Sequence, residues 1–219
     1  MIPFEGKHSY RPADGHGLAH DPFNSIVAPR PIGWITTMSA SGAINLAPYS
    51  FFNGVHSRPP VVMFGSEGRK DSLTFVEETK EFVCNLATWD LRDQMNQTSA
   101  PYPRGTNELE VTGLATLPSR VVRPPRIAEA PVSFECETYH TLDLGGGKAV
   151  QVGRVVYFHI QDRFLQDADK AYVDGAGMGL IGRMHGKASY ARTTDQFEVR
   201  RMSVEAALTK LGQAGEVRA

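Results

Sequence analysis

The chain has 219 residues, 41% of them hydrophobic, and a formal net charge of −1. This length is enough to bury a substantial core, and we expect one domain over residues 1–219. The near-zero charge provides no basic field for nucleic acid or for an anionic membrane surface, so neither partner is expected. We find no stretch approaching the roughly 18 uncharged apolar residues of a membrane helix, and we expect a cytoplasmic protein.

The first 23 residues are rich in glycine, proline and histidine and show no clear period, which predicts an arm lying over the rest of the domain. His16 and His20 have the spacing of two ligands on one helical face. However, Gly15 and Gly17 disfavour a helix, and no third ligand is evident nearby. We therefore predict no metal site.

The two cysteines, Cys84 and Cys136, each lie in an apolar, strand-like run outside any C-x-x-C motif. Free cysteine is among the most buried residue types, so the runs predict buried thiols. A disulfide framework is not expected.

A β-hairpin is predicted in the first third of the chain. Residues 32–38 are rich in β-branched and aromatic side chains, residues 40–42 form a turn signal, and residues 44–55 resume as a second strand. Pro48 lies within that second strand and has no backbone N–H to donate. It therefore indicates a sheet edge or a bulge, where backbone groups are free to face a ligand.

The second strand of this hairpin also carries a high density of small polar groups. Asn45, Ser50 and Asn53 stand among small and aromatic residues such as Ala47 and Phe51. Such a wall would suit a flat heteroaromatic ligand with polar edges. The alternative is an ordinary core hairpin whose polar groups are satisfied within the protein.

A polar loop at residues 66–72 leads into a predicted amphipathic helix over residues 72–79. A helix N-terminus offers unpaired N–H groups and partial positive charge, which favours anions. The loop and first turn add hydroxyl donors and two cations, as a phosphate monoester requires: Ser66, Arg69, Lys70, Ser72 and Thr74. Asp71 is better placed as the N-cap. The alternative is a capped surface helix with solvated basic residues.

The rest of the chain is mostly strand-like, which predicts a mainly β fold with flanking helices; that the strands form a β-barrel is implied by the family resemblance described below. Further strands are predicted at residues 61–65, 81–87, 114–122, 132–142 and 149–164, and further helices at residues 89–99 and 204–211. The triple glycine at 145–147 predicts a hairpin turn. Gly177, Gly179 and Gly182 form a formal G-x-G-x-x-G. No βαβ unit surrounds them, so a Rossmann site is rejected.

Several motifs in this order together resemble the flavin reductase-like family. They are Arg30-Pro31-Ile32-Gly33-Trp34, Thr36-Thr37, Gly42, Asn45-Leu46-Ala47-Pro48-Tyr49-Ser50-Phe51-Phe52, Arg58-Pro59-Pro60, Arg69-Lys70-Asp71-Ser72, Phe82-Val83-Cys84-Asn85-Leu86, Met95-Asn96-Gln97-Thr98-Ser99, Pro118-Ser119-Arg120 and Glu135-Cys136. The resemblance implies an FMN-binding split barrel over residues 24–192, with an arm at 1–23 and a tail at 193–219. It also implies a homodimer.

The resemblance also implies a set of site residues. The residues expected to line the flavin ring are Thr36, Thr37, Asn45, Ala47, Pro48, Ser50 and Asn53, and those expected to hold the phosphate are Ser66, Arg69, Lys70 and Ser72. Arg183, His185, Tyr190 and Arg192 lie in a glycine-rich segment similar to a family loop that folds over the flavin. His185 is expected to position the nicotinamide. Related reductases often carry Gly-Asp-His there, whereas this chain has Gly182-Arg183-Met184-His185.

The expected function is an NAD(P)H-dependent flavin reductase with FMN as cofactor and a redox partner such as a monooxygenase. Hydride transfer to a flavin requires little acid–base work by the protein, so the lack of a catalytic triad does not argue against an enzyme. A non-catalytic or electron-carrier FMN protein is the alternative. An oxidase acting on a phosphorylated pyridine would need another basic cluster, and only the scattered Arg120, Arg123 and Arg126 are available.

Overall fold

A computed structural model describes residues 6–167, 172–185 and 187–216. Its strands are β1 Arg30–Pro31, β2 Gly33–Met38, β3 Ile44–Tyr49, β4 Phe52–Ser57, β5 Pro60–Ser66, β6 Glu81–Leu86, β7 Thr116–Leu117, β8 Arg126–Ile127, β9 Val132–Gly145, β10 Lys148–Ile160, β11 Leu165–Asp167, β12 Tyr172–Val173, β13 Ile181–Arg183 and β14 Tyr190–Arg192. Its helices are α1 Phe23–Ile26, α2 Asp71–Thr79, α3 Arg92–Gln97, α4 Glu108–Thr112 and α5 Val204–Glu216. Single 3₁₀ turns lie at Pro12–Asp14 and Asp162–Phe164.

The main sheet has seven antiparallel strands in the order β3-β2-β6-β9-β10-β5-β4. Its two edge strands, β3 and β4, are separated by only Ser50 and Phe51 in the chain, so the sheet must curl until its edges approach each other. The Phe51 carbonyl accepts a hydrogen bond from the Gly65 N–H at 2.7 Å, and the Tyr49 and Phe64 rings lie 4.8 Å apart. The predicted mainly β barrel is therefore confirmed.

The interior of the curled sheet is apolar and closely packed. Phe64 and Phe82 are fully buried and meet edge to face at 5.4 Å. Both cysteines are buried and free, as predicted, and burial raises the pKa of Cys84. A Cβ atom at Gly153 would lie 2.3 Å from the Phe82 ring, so only glycine fits at this position of β10.

The predicted hairpin is confirmed in its first strand and turn but not in the length of its second strand. The predicted strand is interrupted at Ser50 and Phe51, so residues 44–55 contain β3 and the start of β4 as two separate strands. β3 pairs only with β2, which confirms that Pro48 lies on an edge strand. Here the proline costs the sheet no hydrogen bond on its open side.

Several other predicted boundaries were wrong. Residues 114–122 contain only the two-residue strand β7, and the helix predicted at 89–99 is limited to α3. α4, capped by the Asn107 side chain on the Leu109 N–H, was missed. Asp71 is the first residue of α2 and not its N-cap; its carboxylate accepts instead from the Gly105 N–H at 2.8 Å. The glycine turn at 145–147 is confirmed, with positive φ at all three residues.

A three-stranded sheet, β1-β13-β14, attaches the C-terminal segment to the barrel. In this sheet Arg30 lies directly opposite Arg183, and Pro31 lies opposite Gly182. Gly182, the last glycine of the formal G-x-G-x-x-G, therefore lies in a strand and not in a helix that follows one. This agrees with the rejection of a Rossmann site. None of the helices in the described part of the chain is long and apolar enough to cross a membrane.

Candidate cofactor-binding site

A cavity of about 770 Å³ opens beside β3, at the edge of the curled sheet. Its wall combines the end of β3, the loop before α2, the loop after α3, and the segment after β13. The residues lining it are Asn24, Arg30, Asn45, Ala47, Pro48, Tyr49, Ser50, Phe51, Gly65, Glu67, Arg69, Lys70, Asp71, Ser72, residues 98–104, Glu108, Arg183 and His185. This cavity is the candidate site.

The wall formed by β3 contains the predicted Asn45, Ala47 and Pro48, and the predicted Ser50 follows directly after the strand. Asn45 is buried, and its side chain is held from two sides. Its amide nitrogen donates to Glu108 Oε1 at 2.9 Å, and its amide oxygen accepts from the Ser72 hydroxyl. The orientation of this amide is therefore fixed by neighbours and does not depend on solvent.

Glu108 is a buried carboxylate that the sequence interpretation missed. It also accepts from the Leu46 N–H at 2.9 Å, so it binds both the backbone of β3 and a side chain from that strand. Burial raises the pKa of Glu108, and the nearby negative charge of Asp71 acts in the same direction, while the two hydrogen bonds oppose the change. A carboxylate thus fixes the strand that forms the cavity wall.

The cationic end of the cavity lies at the start of α2, where Arg69 and Lys70 precede the helix and Ser72 lies in its first turn. Arg104, from the segment between α3 and α4, adds a third cation. Arg69 forms an ion pair with Glu77, and Arg104 donates to the Arg69 carbonyl at 2.9 Å. Among the described residues, Lys70 has no ion-pair partner, and as N-cap it offers no side-chain bond to the first turn. The first N–H groups of α2 and the Lys70 ammonium are consequently available to an anion.

The opposite wall of the cavity contains two arginines. Arg30 is buried, and one of its terminal nitrogens donates to the carbonyls of Asn24 and Val27. Arg183 donates to the Tyr190 hydroxyl at 2.6 Å and to the carbonyls of His185 and Lys187. His185 is exposed and lies where the segment after β13 reaches the cavity.

Six of the predicted site residues do not line this cavity: Thr36, Thr37, Asn53, Ser66, Tyr190 and Arg192. Thr36 and Thr37 are fully buried because β2 has neighbours on both sides and both of its faces are covered; Thr36 accepts from Asn85. We therefore leave both threonines out of the candidate site.

The other four of these residues have different surroundings. Asn53 and Ser66 line a second cavity, described below. The Tyr190 ring packs against the core and binds Arg183 through its hydroxyl. Arg192 lies over the Trp89 ring, with 3.5 Å between its guanidinium carbon and the ring centroid. None of these four residues lines the candidate site.

The described part of the chain contains no group of three or more His, Cys, Asp or Glu residues placed to hold a metal ion. A planar ligand with polar edges and a phosphate at one end would match the main cavity: the edge strand offers small and amide groups, and the start of α2 offers cations. Arg104 and Glu108 had no distinct local signal, because each reaches the cavity through a fold contact distant in sequence.

A curled antiparallel sheet with a polar cavity at its edge defines a split-barrel protein. The chain belongs to the flavin reductase-like family, because residues 26–176 match the flavin reductase like domain. It is 36% identical over 188 residues to an uncharacterized protein of Deinococcus radiodurans, covering 82% of each chain.

Two solved structures share the fold and 28% sequence identity. Nitrilotriacetate monooxygenase component B of Bacillus cereus superposes with a TM-score of 0.79, covering 87% of this chain and 98% of that one. The 2-nitrobenzoate 2-nitroreductase NbaA of Pseudomonas fluorescens superposes with a TM-score of 0.76, covering 83% of this chain and 89% of that one. The resemblance predicted from sequence motifs is therefore confirmed.

Proposed function

We propose that this protein is an FMN-binding oxidoreductase that accepts electrons from NADH or NADPH. The observation that carries the proposal is the cavity itself, in which an edge strand with a fixed amide meets the uncapped, cationic start of α2. Membership of the flavin reductase-like family supports the same cofactor class. The two neighbours named above, a monooxygenase component and a nitroreductase, are redox proteins by name.

FMN fits the residues present. Asn45, Ala47, Pro48 and Ser50 would contact the ring system, and Asn45 would present its amide at a polar ring edge. The phosphate would be held by Lys70, Arg104 and the first N–H groups of α2, with Arg69 nearby. Ser72 would contribute through its backbone N–H, because its hydroxyl already donates to Asn45. When bound, FMN supplies two-electron chemistry that the protein side chains lack.

The chain's own contribution is position and charge. Glu108 holds β3 through Asn45 and the Leu46 N–H, which fixes the wall against which a ring would lie. His185, exposed beside the cavity, is proposed to order the nicotinamide of the donor. A cytoplasmic homodimer that passes electrons to a partner such as a monooxygenase completes the proposal.

Absorbance spectroscopy tests the proposal. The freshly purified protein is scanned, supplemented with FMN if colourless, and then mixed anaerobically with NADH or NADPH. We expect flavin bands that bleach quickly and saturably with one of the two donors. Slow, non-saturable bleaching would instead indicate an electron carrier. Protein without flavin bands after incubation with FMN and removal of the free FMN would refute the proposal.

A further inference from the structure

A second cavity of about 410 Å³ lies beside the candidate FMN site. It shares Arg30, Ser50, Phe51, Gly65 and Glu67 with the main cavity, so the two spaces adjoin along this wall. Most of its remaining wall is apolar, with Val27, Pro29, Phe52, Met63, Leu144 and Val150, and the polar residues of that wall are Asn53, Ser66 and Lys148. The apolar cavity is therefore open to a hydrophobic group, and Arg30 is the cation that it shares with the flavin site.

Arg30 is the cation at the junction of the two cavities. Arg30 is only 5% exposed, and its buried Nε atom has no hydrogen-bond partner among the residues that the structure describes. A buried guanidinium group with an unused donor is costly, because the lost hydration is not replaced. Among the described residues, Arg30 forms no ion pair, although Glu67 also lines both cavities.

The register of the three-stranded sheet places a second arginine, Arg183, beside Arg30 at this junction. Arg30 and Arg183 are directly opposite each other in β1 and β13, which puts their side chains on the same face of the sheet. Like charges in this position are unfavourable, and burial together with the Arg183 charge lowers the pKa of Arg30. An anion bound here would relieve both the unused donor and the repulsion.

We propose that the junction binds a planar aromatic carboxylate, with the carboxylate at Arg30 and the ring in the apolar cavity. A guanidinium group matches the geometry of a carboxylate, and the Phe51 ring, 5.6 Å from the Arg30 guanidinium carbon, provides an aromatic surface beside the anion site. This inference specifies a substrate class for the proposed oxidoreductase and rests on that function, since the ligand would lie next to the flavin.

Calorimetric titration of the FMN-loaded protein with benzoate and with benzamide, at constant ionic strength, tests the inference. The two ligands have the same shape and differ in charge. We expect saturable benzoate binding and at least about tenfold weaker benzamide binding, the effect of one charge-assisted hydrogen bond. Equal affinity for the two ligands, or no benzoate binding by protein that retains FMN, would overturn the inference.

Two variants locate the site. Arg30→Gln should weaken benzoate binding by at least about tenfold, whereas Arg154→Gln, which removes an exposed arginine paired with Glu137, should not change it. If Arg30→Gln does not fold, Met63→Glu replaces it, because it adds a like charge to the wall of the apolar cavity at a partly exposed residue. We expect Met63→Glu to lose benzoate and keep FMN; unchanged benzoate affinity would contradict the inference.

ADP-ribose, the part of NADH that lacks the nicotinamide, is titrated in parallel, because its phosphates can also bind an arginine. Binding of ADP-ribose, but not benzoate, with dependence on Arg30 would assign the junction to the nicotinamide donor and overturn the inference. Failure to bind FMN would refute the proposed function separately. In that case the benzoate titration of the FMN-free chain still decides whether the carboxylate site exists.

Discussion

The side-chain amide of Asn45 donates to Oε1 of Glu108 across 2.9 Å, although the two residues are 63 positions apart in the chain. Both residues are buried and both line the main cavity. Because the amide oxygen of Asn45 also accepts from Ser72, one hydrogen-bonded chain joins α4, β3 and the start of α2. The proposed ring wall and phosphate end are therefore positioned together.

Glu108→Ala tests this connection. The substitution leaves the Leu46 N–H buried without an acceptor and frees the Asn45 amide, so we expect stability to fall by about 1–3 kcal/mol and FMN affinity to fall several-fold. Thermal unfolding and flavin fluorescence titration measure the two effects. Glu110→Ala is the control, since Glu110 is exposed on the same helix. Unchanged FMN affinity in Glu108→Ala would show that the fixed amide is not needed.

Removing both cations before α2 tests the proposed phosphate site. We expect Arg69→Ala with Lys70→Ala to weaken FMN binding by at least about tenfold with the fold intact, because both side chains are exposed. Lys70 should account for most of the loss, since Arg69 is already paired with Glu77. Equilibrium titration with FMN measures the change. Arg200→Ala with Arg201→Ala removes the same charge from the tail; an equal loss in that control would indicate a nonspecific charge effect.

Glu135 is expected to make stability depend on acid pH. Burial alone would raise its pKa, but backbone N–H groups of residues 120–122 and His159 Nε2, 2.6 Å away, hold the pKa below the ordinary value of 4.5. Because the folded-state pKa is lowered, its stabilisation is complete above the unfolded value. It is lost as pH falls from about 4.5 through the lower folded-state pKa.

Glu135→Gln should therefore cost roughly 3 kcal/mol at neutral pH, since it removes a buried carboxylate that accepts from three backbone N–H groups and lies 2.6 Å from His159 Nε2, and should flatten the acid dependence. Urea unfolding between pH 3 and pH 7, on the order of one step per pH unit, measures both effects. Glu137→Gln, at a partly exposed position two residues further along β9, should cost no more than about 1 kcal/mol. An acid profile in Glu135→Gln identical to that of the parent protein would contradict this account.

Gly153→Ala tests the packing of the barrel interior. The new methyl group would overlap the fully buried Phe82 ring, and we expect a loss of about 1–3 kcal/mol. Gly54→Ala serves as control, because a Cβ atom there meets nothing within 4 Å. Adding Phe82→Leu to Gly153→Ala should recover part of the loss if the overlap is its cause. Denaturant unfolding of the variants decides between these outcomes.

The sequence predicted those parts of the candidate site whose residues lie close together in the chain, and it missed those that depend on contacts between distant segments. Asn45, Ala47 and Pro48 share one strand, Ser50 follows it directly, and Lys70 stands at the start of the next helix, so local motifs were sufficient to group these cavity-lining residues. Thr36 and Thr37, predicted to line the flavin ring, are buried away from the cavity, and their strand pattern does not reveal that β2 is covered on both faces.

Other features depended on the three-dimensional arrangement. The role of Glu108 requires α4 to pack against β3, and α4 is only five residues long, too short to give a clear periodic signal. The pairing of Arg30 with Arg183 depends on strand register across more than half of the chain, which no local pattern encodes. The mainly β fold was predictable because strand-like runs and turn glycines recur along the sequence, whereas the barrel was implied by the family resemblance.

Comparative titration with FMN and riboflavin tests the central claim most directly, because the two flavins share a ring system and differ in the phosphate. The account predicts saturable FMN binding at one site per chain and at least about tenfold weaker riboflavin binding, with the difference largely abolished in the Arg69→Ala, Lys70→Ala variant. No binding of FMN, or equal affinity for the two flavins in the parent protein, would contradict the assignment of this cavity as an FMN site.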